Sequence, residues 1–290
     1  MTIAVIANPK KYAVHDPLIT LFNHCRNLGI DVVISKELRE YLAESDNREV
    51  TVLNTEDEAV RGGDIIVAVG GDGTMLYTAR LVSNSGKPMM GINCGRLGFM
   101  ANIPQDSIRD ALRCIAEENY SVEDRFMLEG TTSNGETYHA LNELLFTKKD
   151  TASLITLTAE YNGKFINEYW CDGLIVSTPT GSTAYNLSSG GPIVMPDTPV
   201  MIVTPISPHT LTTRPLVLPA NQKLTVKVNI DTEHIIFSYD GIIMNINEPL
   251  SVDIKQTDFT IRFIQLPGYD YFKTLRKKLM WGLDHRQKRE

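Results

Sequence analysis

The run DIIVAVGGDGTML, residues 64–76, is the most informative part of the chain. Ile65 to Val69 form an unbroken apolar segment, as in a strand covered on both faces. It leads directly into Gly70-Gly71-Asp72-Gly73-Thr74, after which a helical pattern begins. Glycines at such a turn let the backbone approach an anion closely, and the helix start offers unpaired N–H groups and the positive end of its dipole. A carboxylate inside an anion cradle is electrostatically unfavourable unless it removes a proton or meets a cation. Asp72 is therefore a candidate general base for an attacking hydroxyl, or a partner of the Mg2+ carried by a nucleotide. A plain strand-to-helix turn capped by Asp72 or Thr74 would use the same residues. The chain lacks G-x-x-x-x-G-K-[ST], and its first strand is not followed by G-x-G-x-x-G, so phosphate handling here follows neither common route.

The pattern repeats on either side. TIAVIA (2–7) precedes Leu18, Leu21, Phe22, Cys25 and Leu28 at helical spacing, closed by Gly29. IDVVIS (30–35), PMMGIN (88–93) and a helix carrying Ile108, Leu112 and Ile115 complete the series. Apolar strands alternating with amphipathic helices predict an α/β domain with a Rossmann-like parallel sheet covered on both faces. From about residue 121 the texture becomes β-rich and sandwich-like: LITLTAEY, KFINEYW, LIVST, PVMIVTPIS, KLTVKVNI, HIIFSYDG, IIMNI and DFTIRFI are short strands, with Asn162-Gly163 as a hairpin turn. The last segment returns to helix, with Phe272, Leu275, Leu279 and Leu283 as an apolar stripe. Lys273, Arg276, Lys277, Lys278, Arg286, Lys288 and Arg289 form its solvated face. These features divide the chain into an α/β domain, 1–120 plus the tail 267–290, and a β-rich domain, 121–266.

With 290 residues, 42% apolar and 22% charged, the chain is globular, which excludes collagen-like and disordered classes. Its net charge, 28 − 35 = −7, repels phosphate backbones and argues against nucleic-acid binding. The only N-terminal apolar run, Ile3 to Ala7, is followed rather than preceded by basic residues, unlike a signal peptide. No stretch approaches the roughly 20 apolar residues of a membrane span. Cys25, Cys94, Cys114 and Cys171 lack zinc or redox spacing and read as reduced thiols of a cytoplasmic protein.

Further polar clusters interrupt apolar surroundings. Asn93 to Phe99 (NCGRLGF) follows PMMGI, at the strand end where open α/β sheets place ligands. Phe99 could stack on a flat heterocycle or fill a core. Asn142-Glu143 and Asp172-Gly173 place carboxylates beside apolar strands, where they need partners. Ribose hydroxyls would satisfy Glu143 and Asp172, and Asn142 suits a base edge, although water-facing edge positions would also serve. Thr178 to Gly191, rich in small and hydroxyl residues, reads equally as a binding loop or a turn-rich connection. His209 has no nucleophile or metal-spaced partner and reads as structural; no metal ligands are assigned.

Taken in order, Asn8-Pro9, GGDGT (70–74), NCGRLGF (93–99), NE (142–143), DGLIVSTPTGSTAYNLSSGGPIV (172–194), SPHTL (207–211) and YDYFKTLRKKLMWG (269–282) resemble the NAD kinases, which phosphorylate the adenosine ribose of NAD at its 2′-hydroxyl. The resemblance implies an N-terminal α/β domain, a β-rich C-terminal domain, a tail helix returning to the first, and a site in the cleft between domains. It implies Asp72 as the base and Asn8, Gly70, Gly71, Gly73 and Thr74 as the phosphate-donor loop. Asp72, Gly73, Phe99, Asn142, Glu143, Asp172, Thr183, Ala184, Tyr185, Asn186 and Ser188 would contact NAD, with Glu143 and Asp172 on ribose hydroxyls. ATP or polyphosphate as donor, a divalent ion (Mg2+) and a homodimer or homotetramer are also implied.

Two alternatives share parts of this pattern. A lipid kinase of the diacylglycerol or sphingosine type carries a GGDGT-like loop but needs an apolar or membrane-docking surface. A non-catalytic dinucleotide sensor would be expected to lose the base, which Asp72 supplies here. Three positions depart from the family pattern: Ser153 and Trp170 stand where basic residues are usual, and Ile242 where a polar one is. A looser hold on the nicotinamide half follows. The expected outcome is poor discrimination between NAD and NADH in kcat/KM, and strong exclusion of either would count against it.

Overall fold

A computed structural model of the chain describes residues 1–8, 10, 14–42, 49–95, 98–149, 154–228, 235–245 and 250–280. It separates into two units: Met1–Glu123 together with the chain from Ile261 onward, and Asp124–Thr260.

In the first unit β1 (Thr2–Ala7), β2 (Asp31–Ser35), β3 (Thr51–Leu53), β4 (Ile65–Gly70), β5 (Pro88–Asn93) and the short β6 (Ile103–Pro104) alternate with helices. These are α1 (His15–Leu28), α2 (Lys36–Tyr41), α3 (Glu56–Gly62), α4 (Asp72–Val82) and α5 (Ile108–Ala116). The main strands are parallel in the spatial order β5-β4-β1-β2-β3. The chain therefore winds outward from β1 through β2 and β3, then restarts at β4 on the other side. That reversal between β1 and β4 leaves a crevice outside their C-terminal ends.

The sheet is covered on both faces. Ile3, Val5, Ala7, Ile65, Val67 and Val69 join α1 and α5 in one apolar cluster. On the opposite face α4 packs so closely on β5 that a Cβ at Gly91 would lie 2.4 Å from Met75 Sδ and 2.8 Å from Ala101 Cα. α1 stops where Gly29 takes φ 67°, and its buried stripe is Pro17, Leu18, Leu21, Phe22 and Cys25, leaving Leu28 exposed. The C-terminal end of α3 is closed by a side chain: Lys87 Nζ donates to the carbonyls of Val60, Arg61 and Gly63 at 2.8, 2.6 and 2.5 Å. All three ammonium protons thus meet carbonyls at the negative end of a helix dipole.

The second unit is a sandwich. Its strands are β7 (Ser121–Thr132), β8 (Thr137–Ala140), β9 (Glu143–Lys148), β10 (Ile155–Tyr161), β11 (Lys164–Cys171), β12 (Gly173–Ser177), β13 (Val200–Ile206), β14 (Leu216–Pro219), β15 (Leu224–Val228), β16 (Ile235–Tyr239), β17 (Ile242–Asn245) and β18 (Ser251–Gln265), with one helical turn, α6 (Tyr185–Ser188). One antiparallel sheet runs β14-β13-β12-β9-β16-β17, and the other contains β11-β10-β15-β18, with β7 beside β18 and β8 beside β7. Leu157, Val226 and Ile254 from one sheet and Phe146, Leu174, Met201 and Phe237 from the other share a core. Asn162-Gly163 and Asp240-Gly241 make hairpin turns with positive φ at both residues. The sequence pattern does not announce β7, β8, β9 or β14: β7 carries Glu123, Asp124 and Arg125 near its start, β8 and β14 are four residues long, and β9 begins at the polar Asn142-Glu143 pair.

The last turns of the chain differ from the expected stripe. β18 ends with Arg262 and Phe263 paired in parallel with Pro88 and Met89 of β5, followed by α7 (Tyr271–Leu279) in the same unit. Phe272 N donates to Asp270 Oδ1 at 2.8 Å, which caps the start of the helix. The buried face is Tyr271, Thr274 and Leu275, and Phe272 is 47% exposed. Leu283, Arg286, Lys288 and Arg289 lie outside the described residues. No described helix is long and apolar enough to cross a membrane.

Lys87→Met keeps the apolar stem and removes the α3 cap. Urea denaturation should show a loss of about 1–3 kcal/mol, and an unchanged midpoint would mean that the cap contributes nothing.

Candidate functional site

In the first unit β4 delivers Gly70 to the crevice and α4 begins two residues later. A Cβ at Gly70 would lie 2.2 Å from Thr74 Oγ1, so only glycine lets the first helical turn fold back over the strand end. Gly71 caps α4, its carbonyl accepting from Thr74 N at 2.9 Å and Met75 N at 3.1 Å. The Asp72 carboxylate turns onto the loop after β5 and accepts three consecutive backbone N–H groups: Phe99 on Oδ2 at 2.9 Å, and Met100 and Ala101 on Oδ1 at 3.0 Å each. A carboxylate has about four lone-pair positions; the one left is on Oδ2. Gly98 allows this approach, because a Cβ there would lie 2.0 Å from Asp72 Oδ1. Lys278 of α7 stands over the Phe99 ring, 5.6 Å from its centroid. Asn8, Gly73 and Thr74 line a cavity of about 400 Å³, together with Ala7, Lys10, Glu37, Glu56 and Tyr77.

The second unit repeats the device. Asp240 accepts from Leu141 N at 2.8 Å, Asn142 N at 2.7 Å and Glu143 N at 3.2 Å, fixing the Asn142-Glu143 segment. Thr178 N and Ser177 Oγ donate to Asn142 O, and Thr178 Oγ1 donates to Leu141 O. A Cβ at Gly181 would meet Asn142 O at 2.2 Å, so the loop after β12 lies directly on the same segment. Glu143 Oε2 is buried with no hydrogen-bond partner among the described residues. A buried acceptor in that state is suited to a donor from a ligand, such as a hydroxyl.

The Asp172 carboxylate pairs with Lys148 at 2.5 Å. Thr183 and Ala184 are half-buried, and Tyr185 and Ser188 are exposed at the surface of the same loop. Asn186 is tied into its own loop. It is fully buried, Nδ2 donates to Ser182 O and Pro192 O at 3.1 Å each, and Oδ1 accepts from Thr204 Oγ1 at 2.6 Å. Its side chain is thereby consumed in holding the loop closed. Trp170 is half-exposed and stacks on His209, ring centroids 4.3 Å apart, so His209 is held by a ring contact at the surface. Ile242 is half-buried; Pro9, Arg96, Leu97 and Ser153 lie outside the described residues.

Sequence reasoning missed Asp240, Lys148 and Lys278 as parts of these clusters. The dipeptide Asp240-Gly241 is the signal that could have marked one of them, since Asp-Gly favours a hairpin turn. Among the described residues no three His, Cys, Asp or Glu side chains gather as cation ligands. With Asp72 largely occupied by backbone, a divalent ion finds no protein-built cage there. Burial pushes the thiols of Cys25 and Cys171 up to about 12 and that of Cys94 to about 11, which makes them poor nucleophiles.

Burial, and then the nearby charge of Asp240, raises the Glu143 carboxyl from an ordinary 4.5 to about 7. Between those values the folded state binds more protons than the unfolded chain, so this group's contribution to stability falls as pH rises from 4.5 through about 7. Glu143→Gln should abolish that dependence: the melting-temperature difference between variant and parent should grow in the variant's favour across this window. A difference that stays flat with pH would show that Glu143 is not held in a buried, protonatable state.

Comparison with known proteins is consistent over the whole length. The ATP-NAD kinase N-terminal domain model matches residues 3–120, and the ATP-NAD kinase C-terminal domain model matches residues 141–266. An NAD kinase of Flavobacterium johnsoniae is 37% identical over 280 residues, covering 93% of this chain and 95% of its own. One from Bacteroides fragilis is 33% identical over 289 residues, covering 99% and 100%. Among solved structures, an Archaeoglobus fulgidus NAD kinase in complex with ATP gives a TM-score of 0.77 at 26% identity, covering 97% of this chain and 99% of that one. Yeast NADH kinase complexed with NADH shares the fold, with a TM-score of 0.90 at 23% identity, covering 98% and 89%. Both domain models and relatives of this identity along nearly the full length make one conclusion: the chain belongs to the NAD kinase family.

Proposed function

We propose that the chain transfers the γ-phosphoryl group of ATP to the 2′-hydroxyl of the adenosine ribose of NAD, giving NADP and ADP. The observation that supports this most strongly is Asp72, fixed by three backbone N–H groups at the start of α4 with one acceptor position left on Oδ2. In this reading the 2′-hydroxyl donates to that position. As its oxygen bonds to the γ-phosphorus, its proton passes to Asp72, and the bond from the γ-phosphorus to the bridging oxygen breaks to release ADP. Phosphoryl transfer needs little covalent help; positioning and charge neutralisation carry most of it. Gly70, Gly71, Gly73 and Thr74 shape the helix start that faces the phosphates, with Asn8 and Lys10 beside them.

The second unit supplies the sugar contacts in the same reading. Glu143 Oε2 takes a ribose hydroxyl, which satisfies an acceptor otherwise left buried. Asp172, half-neutralised by Lys148, takes another. Phe99, Asn142, Thr183, Ala184 and Tyr185 surround the adenosine, with Ser188 nearby. Mg2+ travels with the donor's phosphates rather than in a cage of side chains, and the protein works in the cytoplasm as a homodimer or homotetramer.

Asp72→Asn preserves size but removes the base and sets an amide against backbone N–H groups. NAD should still bind, while kcat drops by about 10²-fold or more. A variant that keeps most of its turnover would remove Asp72 from this role.

A further inference from the structure

Asp172 marks the point where the chain leaves one sheet of the sandwich for the other. β11 ends at Cys171 and β12 begins at Gly173, and both of these neighbours are buried. A Cβ at Gly173 would lie 2.6 Å from Phe146 O, so the corner is drawn tight against β9. The main chain of Asp172 is held from both sides. Its N–H donates to Ile206 O at 3.0 Å, and its carbonyl accepts from Lys148 N at 3.0 Å and from Thr147 Oγ1 at 3.3 Å. The corner therefore needs no further contact to keep its place.

The side chain is fixed as well. The Lys148 ammonium meets Asp172 Oδ1 at 2.5 Å, and the two side chains are only 20% and 30% exposed. A fully exposed pair would contribute little, whereas partial burial strengthens a charge-assisted bond and holds it in one geometry. What the pair sets is the direction in which the carboxylate looks. With Oδ1 taken by the ammonium, Oδ2 remains as an acceptor, beside the protons that the ammonium does not spend on Oδ1. A lone carboxylate complements two neighbouring donors. This pair complements one donor and one acceptor side by side.

A vicinal diol has that pattern, since each hydroxyl can give a proton or accept one. Glu143 stands at the other end of the six-residue strand β9, about 17 Å away along it. Within one chain the two acids therefore meet different parts of a dinucleotide. Resting on the reading of the chain as a kinase of NAD in which Asp172 takes a ribose hydroxyl, we propose that Lys148 is a specificity-determining residue for the dinucleotide. Asp172 Oδ2 accepts from one hydroxyl of a ribose and Lys148 donates to the oxygen of its neighbour, so the two side chains read a vicinal diol as one unit.

The test measures NADP formation from ATP with NAD varied, for the parent, Lys148→Met, Lys148→Arg, Asp172→Asn and the Lys148→Met/Asp172→Asn double variant. The melting temperature of each shows that it is folded. Lys148→Met should raise KM for NAD about tenfold, as for a lost charge-assisted hydrogen bond, and leave kcat within about threefold. Lys148→Arg should bring KM back to within about threefold of the parent. The double variant should be within about twofold of the poorer single variant, because the two residues act together. Two NAD analogues that keep the adenosine 2′-hydroxyl locate the sugar: one lacks the adenosine 3′-hydroxyl, the other the 2′-hydroxyl of the nicotinamide ribose. The effect of Lys148→Met should vanish with one of them and persist with nicotinamide hypoxanthine dinucleotide, whose base edge is altered. The assignment is overturned if KM for NAD does not move in Lys148→Met, if kcat falls instead, or if arginine fails to restore KM. It is equally overturned if both deoxy analogues keep the full effect, or if only the hypoxanthine analogue loses it, which would place the pair on the base. Calorimetric Kd values for NAD in the parent and Lys148→Met separate this from the kinase reading. If the parent forms no NADP, that reading falls and the diol contact stands or falls on the Kd ratio; turnover with equal Kd values removes Lys148 alone.

Discussion

Three successive backbone N–H groups pointing the same way cannot all be satisfied by a neighbouring strand, and leaving them buried and unpaired would cost more than most single side chains contribute. A single aspartate carboxylate resolves this twice in the chain. Asp72 takes the N–H groups of residues 99–101, and Asp240 takes those of residues 141–143. Each contact pins a short irregular segment that carries candidate site residues: Phe99 in one case, Asn142 and Glu143 in the other. Glycine is the companion constraint. Gly98 must lack a side chain for Asp72 to reach its loop, and Gly181 must lack one for the next loop to lie on Asn142. The motif residues are thus fixed first by backbone accounting, and their chemistry is built on that.

Much of this was legible in the sequence because it is local. Buried strands followed by helical spacing gave the parallel sheet, and GGDGT gave the helix start. Asn162-Gly163 marked a hairpin, since such a turn needs positive φ at successive residues. What was not legible is non-local. Asp240 reaches residues nearly a hundred positions earlier, and nothing in its own neighbourhood marks that contact. Lys148 and Asp172 meet only because β9 pairs with β12. Asn186, fully buried, donates to Ser182 and Pro192 and accepts from Thr204, contacts that only the folded loop brings together. On α7 the buried face takes Tyr271, Thr274 and Leu275 and leaves Phe272 out, because the side that packs is set by non-local neighbours rather than by apolar spacing alone.

The distribution of charge also has a common logic. Glu143 holds a buried acceptor suited to a neutral hydrogen-bond donor, whereas the GGDGT turn offers backbone N–H groups and a helix dipole to anions. An acidic protein can in this way handle phosphates without a basic surface. In the function proposed above its acids meet sugar hydroxyls, and its backbone meets negative charge.

The division of the first unit between both ends of the chain bears on how it is made. The outer edge of β5 is covered at Pro88 and Met89 only by Arg262 and Phe263, and α7 arrives later still. On the ribosome that edge stays open while more than a hundred further residues are translated, exposing unpaired backbone of a kind that invites aggregation. The nascent N-terminal half should therefore depend on chaperones or on slow, deferred closure, and become a finished domain only when synthesis is nearly complete.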